Sequence, residues 1–217
     1  MINGLLCKKV GMTRVFTEDG RWLSVTVLEA GPCTVVQRKT TDNDGYDAVQ
    51  IGFGEVRSTK RRPRKPQMGH FKKAGVEPKR TLREFRVAAD SELKPGDEIR
   101  ADIFAKGDRV DVASTSKGKG FQGVQKRHHF GGGPGTHGSN FHRRPGSIGQ
   151  CAFPAEVFSG HPMPGHMGDR KVTVQNLEIV TVDPAKNLVL VLGAVPGANG
   201  NVVQLKKSVK ASAKGDQ

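Results

Sequence analysis

The sequence predicts a mainly β protein, built as a sandwich or a small barrel, that carries a basic insert and a long extended loop. Short apolar stretches separated by turn residues recur along the chain, a pattern typical of many short strands. Positive charge is concentrated in two segments. The second of these is too rich in glycine, and too long, to be an ordinary part of a packed core.

The first predicted element is a β-hairpin. Val10–Phe16 and Trp22–Leu28 flank Asp19-Gly20, and an aspartate-glycine pair supplies the positive backbone dihedrals of a tight turn. Residues 33–37 and 48–53 repeat this pattern around Asp44-Gly45. Further strands are expected at residues 98–103, 109–113, 171–182, 188–192 and 202–205, with turns at 184–187 and 196–200.

These strands imply a discontinuous body. We expect residues 1–113 and 169–217 to form it, with a basic insert at residues 57–86. The strands on either side of residues 114–168 have the pattern of parts of one barrel, so this segment is predicted to be a long loop inserted within the domain.

The charge distribution predicts the class of partner. The 217 residues carry a formal net charge of +14, which favours a polyanionic partner. Residues 57–86 carry +10 and residues 114–171 carry +6, whereas the rest of the chain sums to −2. The sequence therefore predicts a nearly neutral body with two basic nucleic-acid-binding segments.

A membrane is the least favoured polyanionic partner. The longest apolar run, near residues 188–192, is far shorter than a bilayer span, and the N-terminus lacks the pattern of a secretory signal. A soluble protein of the cytoplasm is expected. Cys7, Cys33 and Cys151 are odd in number and contain no Cys-x-x-Cys pair, which argues against a disulfide framework or a thiolate zinc site.

The first basic segment is predicted to be an extended cationic strand. Its prolines between Arg57 and Pro66 disfavour a long helix, and residues 70–75 are expected to add a short helical turn. A nuclear-localisation signal and a solvated run of charge are the alternatives. The predicted nucleic-acid contacts in this segment are Arg57, Lys60, Arg61, Arg62, Arg64, Lys65, Lys72 and Lys73.

The second basic segment is predicted to be held by a partner. Residues 114–168 contain 13 of the 28 glycines and six of the seven histidines, without a sustained period of 2 or 3.6 residues. Glycine permits close approach to phosphates, which lysine and arginine neutralise. The predicted contacts are Lys117, Lys119, Lys126, Arg127, His128, His137, His142, Arg143, Arg144 and His166. Phe121, Phe130, Phe141 and Phe153 would either stack on unpaired bases or form small local clusters.

Three motifs in this region suggest other functions but lack the required context. Gly118–Gly123 matches Gly-x-Gly-x-x-Gly, yet no amphipathic helix follows and no acidic residue lies between Asp111 and Glu156, as a dinucleotide site would need. The histidines and Cys151 lack zinc-finger spacing, so no metal or other cofactor is expected. Ser147 does not lie in a nucleophile elbow and few carboxylates are near, so no enzyme activity is expected.

The order of several motifs resembles a known family. They are Gly11-Met12-Thr13, Gly31-Pro32-Cys33, Asp44-Gly45-Tyr46, Gly69-His70-Phe71, residues 115–121, Thr136-His137-Gly138, residues 142–150, Gly165-His166-Met167-Gly168, residues 172–177 and residues 193–200. In these motifs, which span nearly the whole chain, the sequence resembles the bacterial form of the family of large-ribosomal-subunit protein three.

The resemblance implies a fold and a function. It implies a small Greek-key β-barrel, similar to one domain of translation factors, and a loop that runs into ribosomal RNA toward the peptidyl-transferase centre. It also implies direct binding of large-subunit rRNA early in subunit assembly, contacts with neighbouring ribosomal proteins, and no catalysis. A free nucleic-acid-binding or chaperone-like protein that uses the same segments transiently is the alternative.

The resemblance also draws attention to the tip of the loop. Residues 146–154 lie near that tip by analogy, so Ser147 and Gln150 are expected to contact rRNA. Gln150 occupies the position that a glutamine methyltransferase modifies in some bacterial members, and is therefore a candidate N5-methylglutamine. Residues 151–164 depart from the family because they contain no lysine or arginine. Our hypothesis is that His161 and His166 partly replace the missing phosphate contacts.

Overall fold

The chain folds as a mainly β protein, and its computed structural model describes residues 2–56, 63–88 and 91–212. The strands within these residues are β1 (Gly4–Phe16), β2 (Trp22–Ala30), β3 (Cys33–Lys39), β4 (Ala48–Glu55), β5 (Lys79–Arg86), β6 (Glu98–Ile99), β7 (Arg109–Thr115), β8 (Gly120–Gln122), β9 (Gly165–Met167), β10 (Lys171–Asp183), β11 (Leu188–Leu192) and β12 (Val202–Lys207). The helices are α1 (Thr41–Asp44), α2 (Lys65–Ala74), α3 (Val124–His128) and α4 (Val209–Ser212), with a 3₁₀ turn at Ala101–Ile103.

Six strands form a closed ring in the order β1-β12-β7-β10-β11-β2, and every neighbouring pair is antiparallel. Alternation of side chains directs one face of each strand inward. In β11, for example, Val189 and Val191 are fully buried while the residues between and beside them are partly exposed. The centre of the ring is apolar for this reason, with Leu5, Leu28, Val112, Ile179 and Leu205 also fully buried in one apolar cluster.

A second sheet of four strands has the order β5-β4-β3-β6. Its buried side chains include Val35, Ile51 and Phe85, and they belong to the same apolar core as the residues inside the ring. Among the described residues, β5 is an edge strand that pairs with β4 alone.

The structure has a strand at each place where the sequence predicted one, but some of the bounds differ. β1 begins at Gly4 instead of Val10, and the strand expected at 98–103 is reduced to β6 followed by the 3₁₀ turn. The turn expected at Asp44-Gly45 is preceded by the single helical turn α1, and Gly45 has a φ of 79°. The prediction of a mainly β fold is confirmed.

The first basic segment was predicted to be extended over residues 57–66, of which residues 57–62 lie outside the described residues, and to add a helical turn at 70–75. Residues 65–74 form α2, and residues 79–86 form the edge strand β5. Pro66 lies in the first turn of α2, where a missing backbone N–H removes no helical hydrogen bond. The expectation that its prolines would keep residues 65 and 66 extended was therefore wrong.

The chain divides into two compact units. Unit 1 comprises residues 1–115 and 171–217, and unit 2 comprises residues 116–170. Unit 2 contains β8, α3 and β9, so the segment in which the sequence shows no regular period nevertheless has short regular elements. No helix in the described part of the chain has the length and apolar character needed to cross a bilayer.

Candidate nucleic-acid interface

Helix α2 presents part of the first basic segment to solvent. Phe71 is 3% exposed and marks the buried face of α2. Lys65, Lys72 and Lys73 are exposed. Arg64 is exposed at the start of the helix, where its backbone N–H donates to Gln67 Oε1 at 3.0 Å. The predicted contacts Arg57, Lys60, Arg61 and Arg62 lie outside the described residues.

In unit 2, the arms of the long segment meet at a short ladder. Residues of β8 pair with β9 in the register Gly120↔Met167 and Phe121↔His166. The backbones are close at the next residues, where a Cβ on Gly168 would overlap the carbonyl oxygen of Lys117. Lys117 and Lys119, which precede β8 closely, are exposed.

Helix α3 connects the same arms through side chains. Val124 is buried and Lys126 is exposed. Arg127 Nη1 donates to the carbonyl oxygen of Met163 at 2.5 Å, and His128 Nε2 lies 3.1 Å from the same oxygen. Arg127 and His128 therefore use part of their hydrogen-bonding capacity within the protein, whereas the Lys126 side chain faces solvent.

The glycine-rich part of unit 2 is fixed around His142. Nδ1 of His142 lies 2.9 Å from the carbonyl oxygen of Pro134. The carbonyl oxygen of His142 accepts from Gln125 Nε2 at 3.2 Å and from the backbone N–H of Gly133 at 3.1 Å. Arg143 and Arg144 follow directly and are exposed. The arrangement presents two guanidinium groups next to an ordered loop.

Residues at the predicted tip are exposed. Ser147 Oγ donates to the carbonyl oxygen of Gly149 at 2.9 Å, and Gln150 has an exposed side chain. His137 is exposed in a turn with a φ of 58°, and His166 is exposed on β9. Side chains with this exposure are accessible to an RNA or to a modifying enzyme.

Several large apolar side chains of unit 2 are also exposed. Phe121 is 75% exposed and Phe153 is 88% exposed, so neither packs in a local cluster of its own unit. Phe130, in contrast, is partly buried beside the ring of His128 at a centroid distance of 6.2 Å. The sequence reasoning missed the exposed residues Ile148, Val157, Phe158 and Met163. The one feature of the sequence that could have drawn attention to them is that they are apolar residues in a stretch without lysine or arginine.

A polar network supports α2 from the neighbouring sheet. His70 Nε2 lies 2.7 Å from Gln50 Oε1, and Gln50 Nε2 donates to Glu84 Oε1 at 3.3 Å. Glu84 also accepts from Tyr46 Oη at 2.8 Å and pairs with Lys39 Nζ at 2.9 Å. The Lys39 hydrogen bond is the main cause that lowers the pKa of Glu84. The hydrogen bonds of Lys39 to Tyr46 and then to Glu84 raise the pKa of Lys39.

The buried thiols do not suit catalysis or metal binding. Burial raises the pKa of Cys7 and raises the pKa of Cys33 to about 12, so both are protonated at neutral pH. Cys151 is exposed. Within the described ranges, no group of three or more His, Cys, Asp or Glu side chains is arranged to hold a metal ion.

Comparison with known proteins identifies the family. The family model described as "Ribosomal protein L3" matches residues 51–188. The chain belongs to the ribosomal protein L3 family. It is 54% identical to the large ribosomal subunit protein uL3 of Carboxydothermus hydrogenoformans over 210 residues, which are 97% of this chain and 99% of the relative. It is 52% identical over 207 residues to the large ribosomal subunit protein uL3 of Brachyspira hyodysenteriae, covering 95% and 94% of the two chains.

Family membership confirms the resemblance found in the sequence motifs. Members of the L3 family are structural ribosomal proteins, and this explains why unit 2 combines exposed cations with no paired carboxylates for acid and base chemistry. As a member of this family, the chain is a structural protein and not an enzyme.

Proposed function

We propose that the chain is a structural constituent of the large ribosomal subunit in the cytoplasm. In this role it binds large-subunit rRNA directly, nucleates early assembly and sends a loop toward the peptidyl-transferase centre. The observation that carries the proposal is the identity of 54% with a large ribosomal subunit protein over 97% of the chain. The exposed cations of α2 and unit 2 agree with it, because cations on ordered backbones neutralise phosphates.

The proposal assigns a role to each part of the chain. The closed ring is the Greek-key barrel of a translation-factor-like body formed by residues 1–113 and 169–217. Residues 57–86 are the peripheral basic insert, and residues 114–168 are the RNA-penetrating loop. Support comes from the discontinuous unit 1 and the separate unit 2, although their boundaries at 115 and 171 differ slightly from the proposed ones.

The rRNA contacts are proposed to follow from exposure. Lys65, Lys72 and Lys73 neutralise phosphates on α2, and Arg143 and Arg144 do so in the loop. The further proposed contacts within the described residues are Arg64, Lys117, Lys119, Lys126, Arg127, His128, His137, His142, Ser147, Gln150 and His166. Arg57, Lys60, Arg61 and Arg62 lie outside the described residues and are proposed from the sequence alone. Exposed Phe121 and Phe153 supply faces on which unpaired bases stack.

Gln150 is proposed to be methylated on its side-chain amide by a glutamine methyltransferase. Its exposed position supports access by such an enzyme. Neighbouring large-subunit proteins are proposed as further partners of the chain. Mass spectrometry of the protein from purified ribosomes tests the modification, since a methyl group on the peptide that contains Gln150 adds one CH₂.

The part of the loop that follows its tip is proposed to bind RNA mainly through contacts other than charge neutralisation. Residues 151–164 contain one carboxylate, Glu156, and no lysine or arginine, so His161 and His166 partly replace phosphate contacts by shape and hydrogen bonding. Changing both histidines to alanine is expected to remove part of the RNA protection in a chemical footprint. A footprint identical to that of the unchanged protein would contradict the proposal.

Sedimentation tests the function as a whole. A ribosomal constituent is expected to co-sediment with large subunits at physiological salt and to leave them only at high salt, because neutralising many phosphates makes binding fall steeply with ionic strength. Recovery of the protein in the soluble fraction at physiological salt would instead favour a transient nucleic-acid-binding protein.

A further inference from the structure

Unit 1 has an open pocket that the sequence reasoning did not select. The pocket has a volume of about 450 Å³ and is lined by Asn3, Tyr46, Ala48, Glu84, Arg86 and Lys206. The residues that line it come from both sheets of unit 1 and from the segments beside them.

The carboxylate in the pocket is already neutralised. Glu84 accepts from Lys39 Nζ at 2.9 Å, from Tyr46 Oη at 2.8 Å and from Gln50 Nε2 at 3.3 Å. These partners fill most of its accepting capacity and balance its charge. Glu84 therefore stabilises the wall of the pocket and does not compete for the two other cations that line it.

Those two cations are held against aromatic faces. The guanidinium carbon of Arg86 lies 5.9 Å from the centroid of Tyr46, and Lys206 Nζ lies 5.3 Å from the centroid of Phe85. Contacts of this kind orient a cation without using its N–H donors. Within residues 2–56, 63–88 and 91–212, neither Arg86 nor Lys206 forms an ion pair with a carboxylate.

We infer that Arg86 and Lys206 bind a phosphodiester of an RNA strand in this pocket. The fork of an arginine matches two phosphate oxygens, and a lysine adds a compact second charge. The contact gives unit 1 a defined RNA site of its own, in addition to α2 and the loop. This inference rests on the proposed function, which supplies the RNA.

An RNA strand suits the surroundings better than a free phosphate does. The network that holds Glu84 continues through Gln50 to His70 of α2. It thereby fixes a helix whose exposed cations include Lys72 and Lys73. Unit 1 thus carries exposed cations on α2 as well as the two cations at the pocket, and several cations suit a ligand with repeated phosphates, because each further phosphate adds a contact and releases counterions.

Salt-dependent binding of the full chain to large-subunit rRNA tests the inference. The variant Arg86→Gln/Lys206→Gln removes two positive charges at the pocket. The control Lys94→Gln/Lys106→Gln removes two exposed charges elsewhere on unit 1. We expect the pocket variant to bind on the order of tenfold more weakly near 0.1 M salt and its slope of log K against log salt to be shallower by about one unit. The control is expected to match the unchanged protein.

The outcomes separate this inference from the proposed function. A pocket variant that binds like the control would overturn the inference alone, whereas failure of the unchanged protein to bind rRNA would overturn both. Saturable binding of inorganic phosphate at the pocket, with rRNA affinity unaffected by the substitutions, would identify a free-anion site and also overturn the inference. Thermal unfolding checks the fold. If the double variant is unfolded, Arg86→Gln with the control Lys94→Gln gives the same comparison with one exposed side chain.

Discussion

At the residue scale, unit 2 depends on places where two stretches of backbone come closer than any side chain allows. Gly168 has a φ of 77°, and a Cβ there would overlap the carbonyl oxygen of Lys117. At Gly133, a Cβ would overlap the carbonyl oxygen of Phe141. The abundance of glycine therefore has an internal cause in addition to the close approach to phosphates that the sequence suggests.

Gly168→Ala is expected to weaken the ladder between β8 and β9. The substitution combines a positive φ with a backbone clash, which together destabilise the local structure by on the order of 1–3 kcal/mol. Hydrogen exchange of the amides near Lys119 and Gln122 measures the effect, and rRNA affinity should fall with it. Gly135→Ala is the matched control, because nothing lies within 4 Å of a Cβ at Gly135. Equal exchange in both variants would contradict this role of Gly168.

The three thiols are expected to react at very different rates. Cys7 and Cys33 are fully buried with raised pKa values, whereas Cys151 is exposed. Because the thiolate is the reactive form, iodoacetamide at pH 8 should alkylate Cys151 alone in the folded protein and all three in denaturant. Mass spectrometry of the digested protein reads the sites. Alkylation of Cys7 or Cys33 as fast as Cys151 would show that these two thiols are accessible to the reagent and not buried.

At the scale of elements, the apolar strands were predicted from the sequence. The strand β5, which is rich in charged residues, was missed, and so were the short strands β8 and β9, which pair across a long loop. A continuous apolar run identified β11 at its observed bounds. The strand β5 escaped notice because it is an edge strand in which only Phe85 is buried, and cations are tolerated on an exposed edge. The strands β8 and β9 have three residues each and pair across a long loop, so neither has a local period to detect.

The network that joins β3, β5 and α2 should make unfolding depend on acid. The folded state lowers the pKa of Glu84, so its contribution to stability is complete above the ordinary carboxyl pKa and is lost as pH falls through the lowered value. The contribution is expected to be below about 1 kcal/mol because the pair is partly exposed. Urea unfolding between pH 7 and pH 3 measures it.

Glu84→Gln provides the comparison for that pH dependence. The variant should be less stable than the unchanged protein near pH 7, and the difference should shrink as the pH falls. Glu92→Gln removes an exposed carboxylate outside the network and should leave the pH profile unaltered. A constant difference between Glu84→Gln and the unchanged protein at every pH would show that Glu84 contributes by packing and not by charge.

At the scale of the whole molecule, the distribution of charge along the sequence is sufficient to predict the class of partner. The two segments that hold the excess positive charge include exposed cations on α2 and in unit 2. Nothing in the sequence indicates that Arg127 and His128 also bond to Met163, or that Arg86 and Lys206 share a pocket. Contacts between residues far apart in sequence depend on the fold, and composition does not encode them.

Unit 2 is proposed to lie within large-subunit rRNA, and directed probing from Cys151 tests this placement most directly. An iron chelate attached to this exposed thiol produces hydroxyl radicals that cleave nearby RNA once the labelled protein is assembled into large subunits. We predict a cluster of cleavages near the peptidyl-transferase centre that is absent from subunits containing a Cys151→Ser variant. Cleavage no different from that control, in subunits that contain the labelled protein, would contradict the account.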